Sequence, residues 1–165
     1  MAFNPSVLWK NPFAGRSTAE DGVLSFLSTI ELFDGLSQRQ LRKVAGIIHI
    51  RSYGVQEVVF RQGDPGVGMY LVMEGEAGVF RERRDFTCQQ VALFTRGDFF
   101  GDIALLNDSP RSATVLTLRP SVLLGLFRPD LLDLTSSDPK LGVTLIYRIA
   151  QVVAERLRLA TAPSD

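Results

Sequence analysis

Along this chain the spacing of apolar residues changes twice, from helical to alternating and back again. Val23, Leu24, Leu27 and Ile30 recur every three or four residues behind Ser17-Thr18-Ala19-Glu20, which predicts a helix. Ser37, followed three residues on by Gln40, reads as a capping box. It opens a second helix in which Leu41, Val44 and Ile47 keep the register. From about residue 46 to 127 the pattern shortens to strands: IIHIRSY, EVVFRQG, MYLVMEG, AGVFRER, CQQVALF, SATVLTL and SVLLGLF, with turn residues between them. Val122, Leu124 and Leu126 share one strand face, as do Val91 and Leu93. Asp64-Pro65-Gly66 predicts a tight turn, proline fixing φ and glycine accepting a positive φ. Arg96-Gly97-Asp98 predicts another turn, and Arg81, Arg83 and Arg84 fall at a solvated hairpin end. Helical spacing returns at Pro129-Asp130-Leu131-Leu132. Asp138-Pro139 then opens the longest helix, with an apolar stripe of Leu141, Leu145, Ile149, Val152 and Val153, and with Glu155, Arg156 and Arg158 polar near its end.

These elements predict a mainly β fold with flanking helices, seven or eight short antiparallel strands forming a sandwich or barrel. Residues 1–18, with Trp9 and Phe13, read as an irregular tail docked on the chain's own surface, and 161–165 as a second tail. Between them one domain is expected over 19–160: helices at 19–47, strands at 48–127 and closing helices at 129–160. The stripe on the last helix is wider than packing on a sheet requires, which predicts a weak homodimer through residues 139–160.

Composition narrows the function. The 165 residues include 18 basic and 18 acidic side chains, so no broad basic surface for nucleic acid is expected, although a local patch remains open. No apolar run is long enough to span a membrane. The single cysteine, Cys88, excludes an intrachain disulfide and suits a reducing compartment; the cytoplasm is the expected location. His49 stands alone and reads as structural, without the histidine cluster a metal site needs. No nucleophile–base set is visible, so catalysis and a cofactor are not expected.

The chemistry concentrates in GDIALLNDSPRSATV, residues 101–115. Gly101 permits close backbone approach, and Asp102 suits an N-cap. Ile103, Ala104 and Leu105 then supply the free N–H groups of a helix start, which favours an anion. After the turn at Asn107-Asp108-Ser109-Pro110, Arg111 heads a strand from which its guanidinium can grip a phosphate through paired hydrogen bonds. Ser112 adds a small donor and Ala113 keeps the wall thin. A capped short helix followed by a surface arginine would explain the same residues without a ligand.

The order of the segments favours the ligand. GDFFGDIALLNDSPRSATV, residues 97–115, resembles the phosphate-binding cassette of cyclic nucleotide-binding domains. LFDGLSQRQLRKVAGI, GDPGVGMYLVMEGEAGVF and the two closing helices extend the resemblance over roughly residues 30–160. It implies an eight-stranded jelly roll with N-terminal helices, a short cassette helix and a C-terminal lid helix. It implies that Arg111 binds the cyclic phosphate, helped by N–H groups near Ile103 and Ala104 and by Ser112–Ala113. Gly101 would pass close to the ribose, and the acid at 102 would accept from the ribose 2′-hydroxyl. The ligand would be cyclic AMP or cyclic GMP, cyclic AMP being preferred.

The family pattern has glutamate where this chain has Asp102, which retracts the carboxylate by about 1.5 Å. The ribose must then shift, a water must bridge, or Asp102 folds back to cap its own helix. Two readings follow. One is a stand-alone sensor that signals to a protein partner through its last helix, with no DNA-binding domain expected. The other is a degenerate fold serving as a ligand-independent interaction or scaffold module. Arg148 on that helix is taken as a surface residue.

Overall fold

The computed structural model describes residues 16–85 and 87–162. The chain runs through α1 (Arg16–Leu27), a 3-10 turn at Glu31–Phe33, and α2 (Gln38–Ala45). The strands β1 (Ile48–Tyr53), β2 (Val58–Phe60), β3 (Gly68–Glu74), β4 (Ala77–Glu82), β5 (Cys88–Phe94) and β6 (Phe99–Phe100) follow. The one-turn helix α3 (Ile103–Leu106) leads to β7 (Thr114–Thr117), β8 (Ser121–Phe127), α4 (Arg128–Ser137) and α5 (Pro139–Thr161). Trp9, Phe13 and residues 163–165 lie outside the described residues.

Among the described residues eight strands form two four-stranded antiparallel sheets, ordered β1–β8–β3–β6 and β2–β7–β4–β5. This is the expected jelly-roll sandwich. Because strand side chains alternate, β3 and β8 serve two cores at once. Met69, Leu71, Met73, Leu124 and Leu126 face the helices and meet Phe26, Leu27, Phe33, Leu141 and Leu145. Val72 and Leu123 point the other way and meet Phe100, Ala77 and Val115 between the sheets. Burial on both faces explains why β8 is almost continuously apolar in sequence.

The capping box appears as expected: the Gln40 N–H donates to Ser37 Oγ, and the Ser37 N–H donates to Gln40 Oε1 at 2.8 Å. Asp138 caps α5 by accepting from the Leu141 N–H at 3.2 Å, and it also pairs with Lys43 of α2 at 2.6 Å. The stripe residues Leu141, Leu145 and Ile149 are fully buried and Val152 and Val153 pack against the same core, so the stripe is used in the chain's own packing and is not the surplus apolar face expected for a dimer. Arg96-Gly97-Asp98 forms its turn, with Gly97 at φ +95° and the Asp98 carboxylate accepting from the Thr95 N–H. His49 pairs with Asp130 at 2.9 Å, and Cys88 is exposed.

Two local expectations differ. The tight turn lies at Arg61–Asp64, where the positive φ belongs to Gly63. Asp64 closes it by accepting from the Arg61 N–H, so Pro65 is left to bridge Pro110. Gly66 is needed for space: a Cβ there would lie 2.8 Å from both the Ala104 Cβ and the Ser109 carbonyl. Val91 and Leu93 both stay about half exposed, and the shared face is not kept: the β4–β5 register shift skips Val91, which lines a cavity with Ala92 and Phe94 while Leu93 does not.

Candidate functional site

Gly101, at the end of β6, adopts φ +79°, a region that costs other residues about 1–2 kcal/mol. A Cβ here would also stand 2.6 Å from Arg111 Nη1. The glycine therefore serves both the turn and the arginine beside it. Arg111 itself is placed by its backbone. Its N–H donates to the Asp64 carbonyl and its carbonyl accepts from the Gly63 N–H, both at 2.8 Å, which fixes the head of β7 against the preceding turn.

The Arg111 side chain is 7 % exposed and lies 4.0 Å above the Phe60 ring. Nη1 makes one long hydrogen bond to the Gly101 carbonyl, 3.4 Å, and Nε has no partner. Burial pushes the guanidinium below its ordinary pKa, while the nearby Tyr70 and Asp64 oppose the shift. It remains charged at neutral pH. A buried cation with an unspent donor is a costly arrangement that an anion would relieve.

Asp102 is the second buried charge, 5 % exposed. It stands at the start of α3 but does not cap it: its side chain accepts no N–H from that helix. The carboxylate instead turns toward α5, where Arg156 Nη1 donates to Oδ1 at 2.6 Å. Arg156 Nη2 also donates to the Phe99 carbonyl at 2.9 Å. Oδ2 is buried with no partner. Of the three N–H groups expected to be free at the helix start, two are already spent: those of Ala104 and Leu105 donate to the Gly101 and Asp102 carbonyls at 3.1 and 3.0 Å.

All seven sequence-expected residues, Gly101, Asp102, Ile103, Ala104, Arg111, Ser112 and Ala113, line one cavity of about 430 Å³. Phe60, Val79, Val91, Phe94, Phe100 and Val115 give it apolar walls. Arg81 also lines it: alternation along β4 puts Arg81 on the same side as Val79, so it is more than a solvated hairpin end. Arg148 lies away from the cavity and donates to the Leu32 carbonyl at 3.2 Å. Sequence reasoning missed Arg156 as a site residue. One signal was present, since Arg156 follows Ile149 by seven residues and so falls on the buried stripe of α5. Among the described residues no cluster of His, Cys, Asp and Glu could hold a metal, and no helix is long and apolar enough to cross a membrane.

A jelly roll whose cassette places a buried arginine and a buried carboxylate at the wall of a largely apolar cavity has the form of a small-ligand-binding domain. The model of the cyclic nucleotide-binding domain matches residues 50–138, and the chain belongs to that family. It is similar to the cAMP-dependent protein kinase regulatory subunit of Pyricularia oryzae, 36 % identical over 67 % of this chain and 27 % of that protein. It is also similar to the cyclic AMP receptor protein of Thermus thermophilus, 32 % identical over 81 % of this chain and 60 % of that protein. A solved cyclic nucleotide-binding domain from Methylobacillus flagellatus shares the fold, with a TM-score of 0.75 and 24 % identity over 92 % of this chain and 88 % of that one. The chain thus spans less than two thirds of the length of these curated relatives.

Proposed function

We propose that residues 19–160 form a sensor domain that binds a cyclic nucleotide, cyclic AMP ahead of cyclic GMP, and passes its occupancy through α5 to a protein partner. The observation that carries this reading is a pair of opposite needs on one cavity. Arg111 Nε is a buried donor without an acceptor, and Asp102 Oδ2 is a buried acceptor without a donor. A cyclic nucleotide offers both complements on one rigid frame: phosphate oxygens for Arg111 and a ribose hydroxyl for Asp102. The apolar walls suit a purine. Cyclic AMP is placed first because the related regulatory subunits and receptor carry that ligand in their names.

A homodimer through α5 is part of the same proposal. Val143, Tyr147, Ala150, Ala154, Leu157 and Thr161 follow one another at alternating intervals of four and three and are all exposed. That spacing matches the one a coiled-coil seam uses. The reading is tested by thermal unfolding with millimolar cyclic AMP or cyclic GMP. Ligand that binds only the folded state raises the midpoint. An unmoved midpoint with both nucleotides favours the ligand-independent scaffold module instead.

A further inference from the structure

Arg111 is buried, yet among the described residues it forms no ion pair. The two acids near it are engaged elsewhere: Asp102 with Arg156, and the Asp64 carboxylate with the Arg61 N–H. What meets its charge is an uncharged ring. The guanidinium carbon stands 4.0 Å from the centre of Phe60, which lines the same cavity. That ring is packed between two others, its centre 6.1 Å from that of Tyr70 and 5.9 Å from that of Phe100. Its backbone is held as well. β2 pairs with β7 through Phe60 and Val115, across an irregularity that skips Val59. The turn directly after it, Arg61–Asp64, carries both backbone hydrogen bonds to Arg111. One stretch of chain therefore sets the ring and the arginine that lies over it.

A carboxylate in the place of Phe60 would hold the arginine more strongly, but it would also neutralise it and take the donors a phosphate needs. An aromatic ring attracts a cation through the negative face of its quadrupole, and more strongly where water is excluded. It adds no charge and leaves donors unspent. Among the described residues the one side-chain hydrogen bond of Arg111, to the Gly101 carbonyl, is long at 3.4 Å, and Nε has none. A leucine would keep this wall apolar and offer no such attraction.

We propose that Phe60 is a positioning residue for anion binding: its ring holds the Arg111 guanidinium in the cavity before ligand arrives, charged and with donors free for the phosphate. The proposal rests on the cyclic-nucleotide reading of the cavity. A long side chain that must be ordered at the moment of binding weakens affinity, so one held beforehand tightens it.

The test replaces Phe60 by phenylalanine carrying one, two or three ring fluorines, which withdraw electron density from the ring and scarcely change its size. Each folded protein is titrated with cyclic AMP by calorimetry. Affinity should fall stepwise along the series, by about tenfold at its end, the value of a desolvated cation–π contact. Phe60→Leu should lose at least as much. In the ligand-free protein, the Arg111 side-chain N–H signals, assigned by their loss in Arg111→Lys, should stand upfield through the ring current. They should return toward the ordinary arginine position in Phe60→Leu. A residue that only fills the wall would show no fluorine trend, so equal affinities along the series overturn the role. Ordinary Arg111 signals in wild type would overturn the contact itself. Flat titrations of folded wild type with cyclic AMP and cyclic GMP, its Arg111 signals still upfield, would instead overturn the reading of the cavity, and this role with it.

Discussion

Arg111 and Gly101 form one unit in which each residue explains the other. Gly101→Ala should cost about 1–2 kcal/mol in chemical denaturation from its positive φ alone, and should also push the guanidinium aside. Arg111→Ala should behave in the opposite way. It removes a buried cation whose Nε lacks a partner, so the ligand-free midpoint should stay level or rise, while nucleotide affinity falls by about 1.5–3 kcal/mol. A lower midpoint together with unchanged affinity would assign Arg111 to structure. Much of this was legible in sequence, because a glycine, a helix start and an arginine beyond a short turn are local marks of an anion site. The Asp102 partner was not legible. Its arginine lies 54 residues away, and only packing of α5 on the cassette brings the two together. Local chemistry suggested that aspartate would cap α3; the tertiary guanidinium took the carboxylate instead.

Helices and their starts were the best-marked elements, because capping residues act within a few positions of themselves. Ser37 with Gln40 and Asp138 with Pro139 each specify a helix start, and α2 and α5 begin there. Strand β6 was missed because two residues cannot display a period. The turn beside Asp64 was placed late because the Asp64-Pro65-Gly66 chemistry suits a turn equally well. The Arg111 backbone, paired to Gly63 and Asp64, settles the register from a distance. Asp138 supplies a test at this scale. The Lys43 hydrogen bond, and after it the Leu141 N–H, hold its carboxyl below the usual carboxylate range. A depressed folded pKa stabilises fully above the unfolded value, near 4, and the benefit is lost as pH falls through the lower folded value. Asp138→Ala should therefore lower the unfolding midpoint by a constant amount above about pH 5, with the gap from wild type closing in more acidic solution. A gap that widens on acidification would show that Asp138 is not acting as an ionised cap.

At the scale of the molecule, sheet β1–β8–β3–β6 divides a helical core from the core between the sheets. The cavity opens on the sheet side, and α5 spans both, packing through Leu141 and Leu145 and touching the cavity through Arg156. The exposed seam of α5 adds an expectation about assembly. Sedimentation should show a concentration-dependent dimer at high micromolar chain, and Tyr147→Glu with Leu157→Glu should abolish it without altering the circular dichroism. A monomer at every concentration would remove the dimer and leave the sensor account intact. The central claim is that two buried groups of opposite need await one ligand. Isothermal titration of folded wild-type protein with cyclic AMP tests it most directly. The account predicts saturable binding, one nucleotide per chain, with a dissociation constant in about the micromolar range. A flat titration with cyclic AMP, repeated with cyclic GMP, would contradict it.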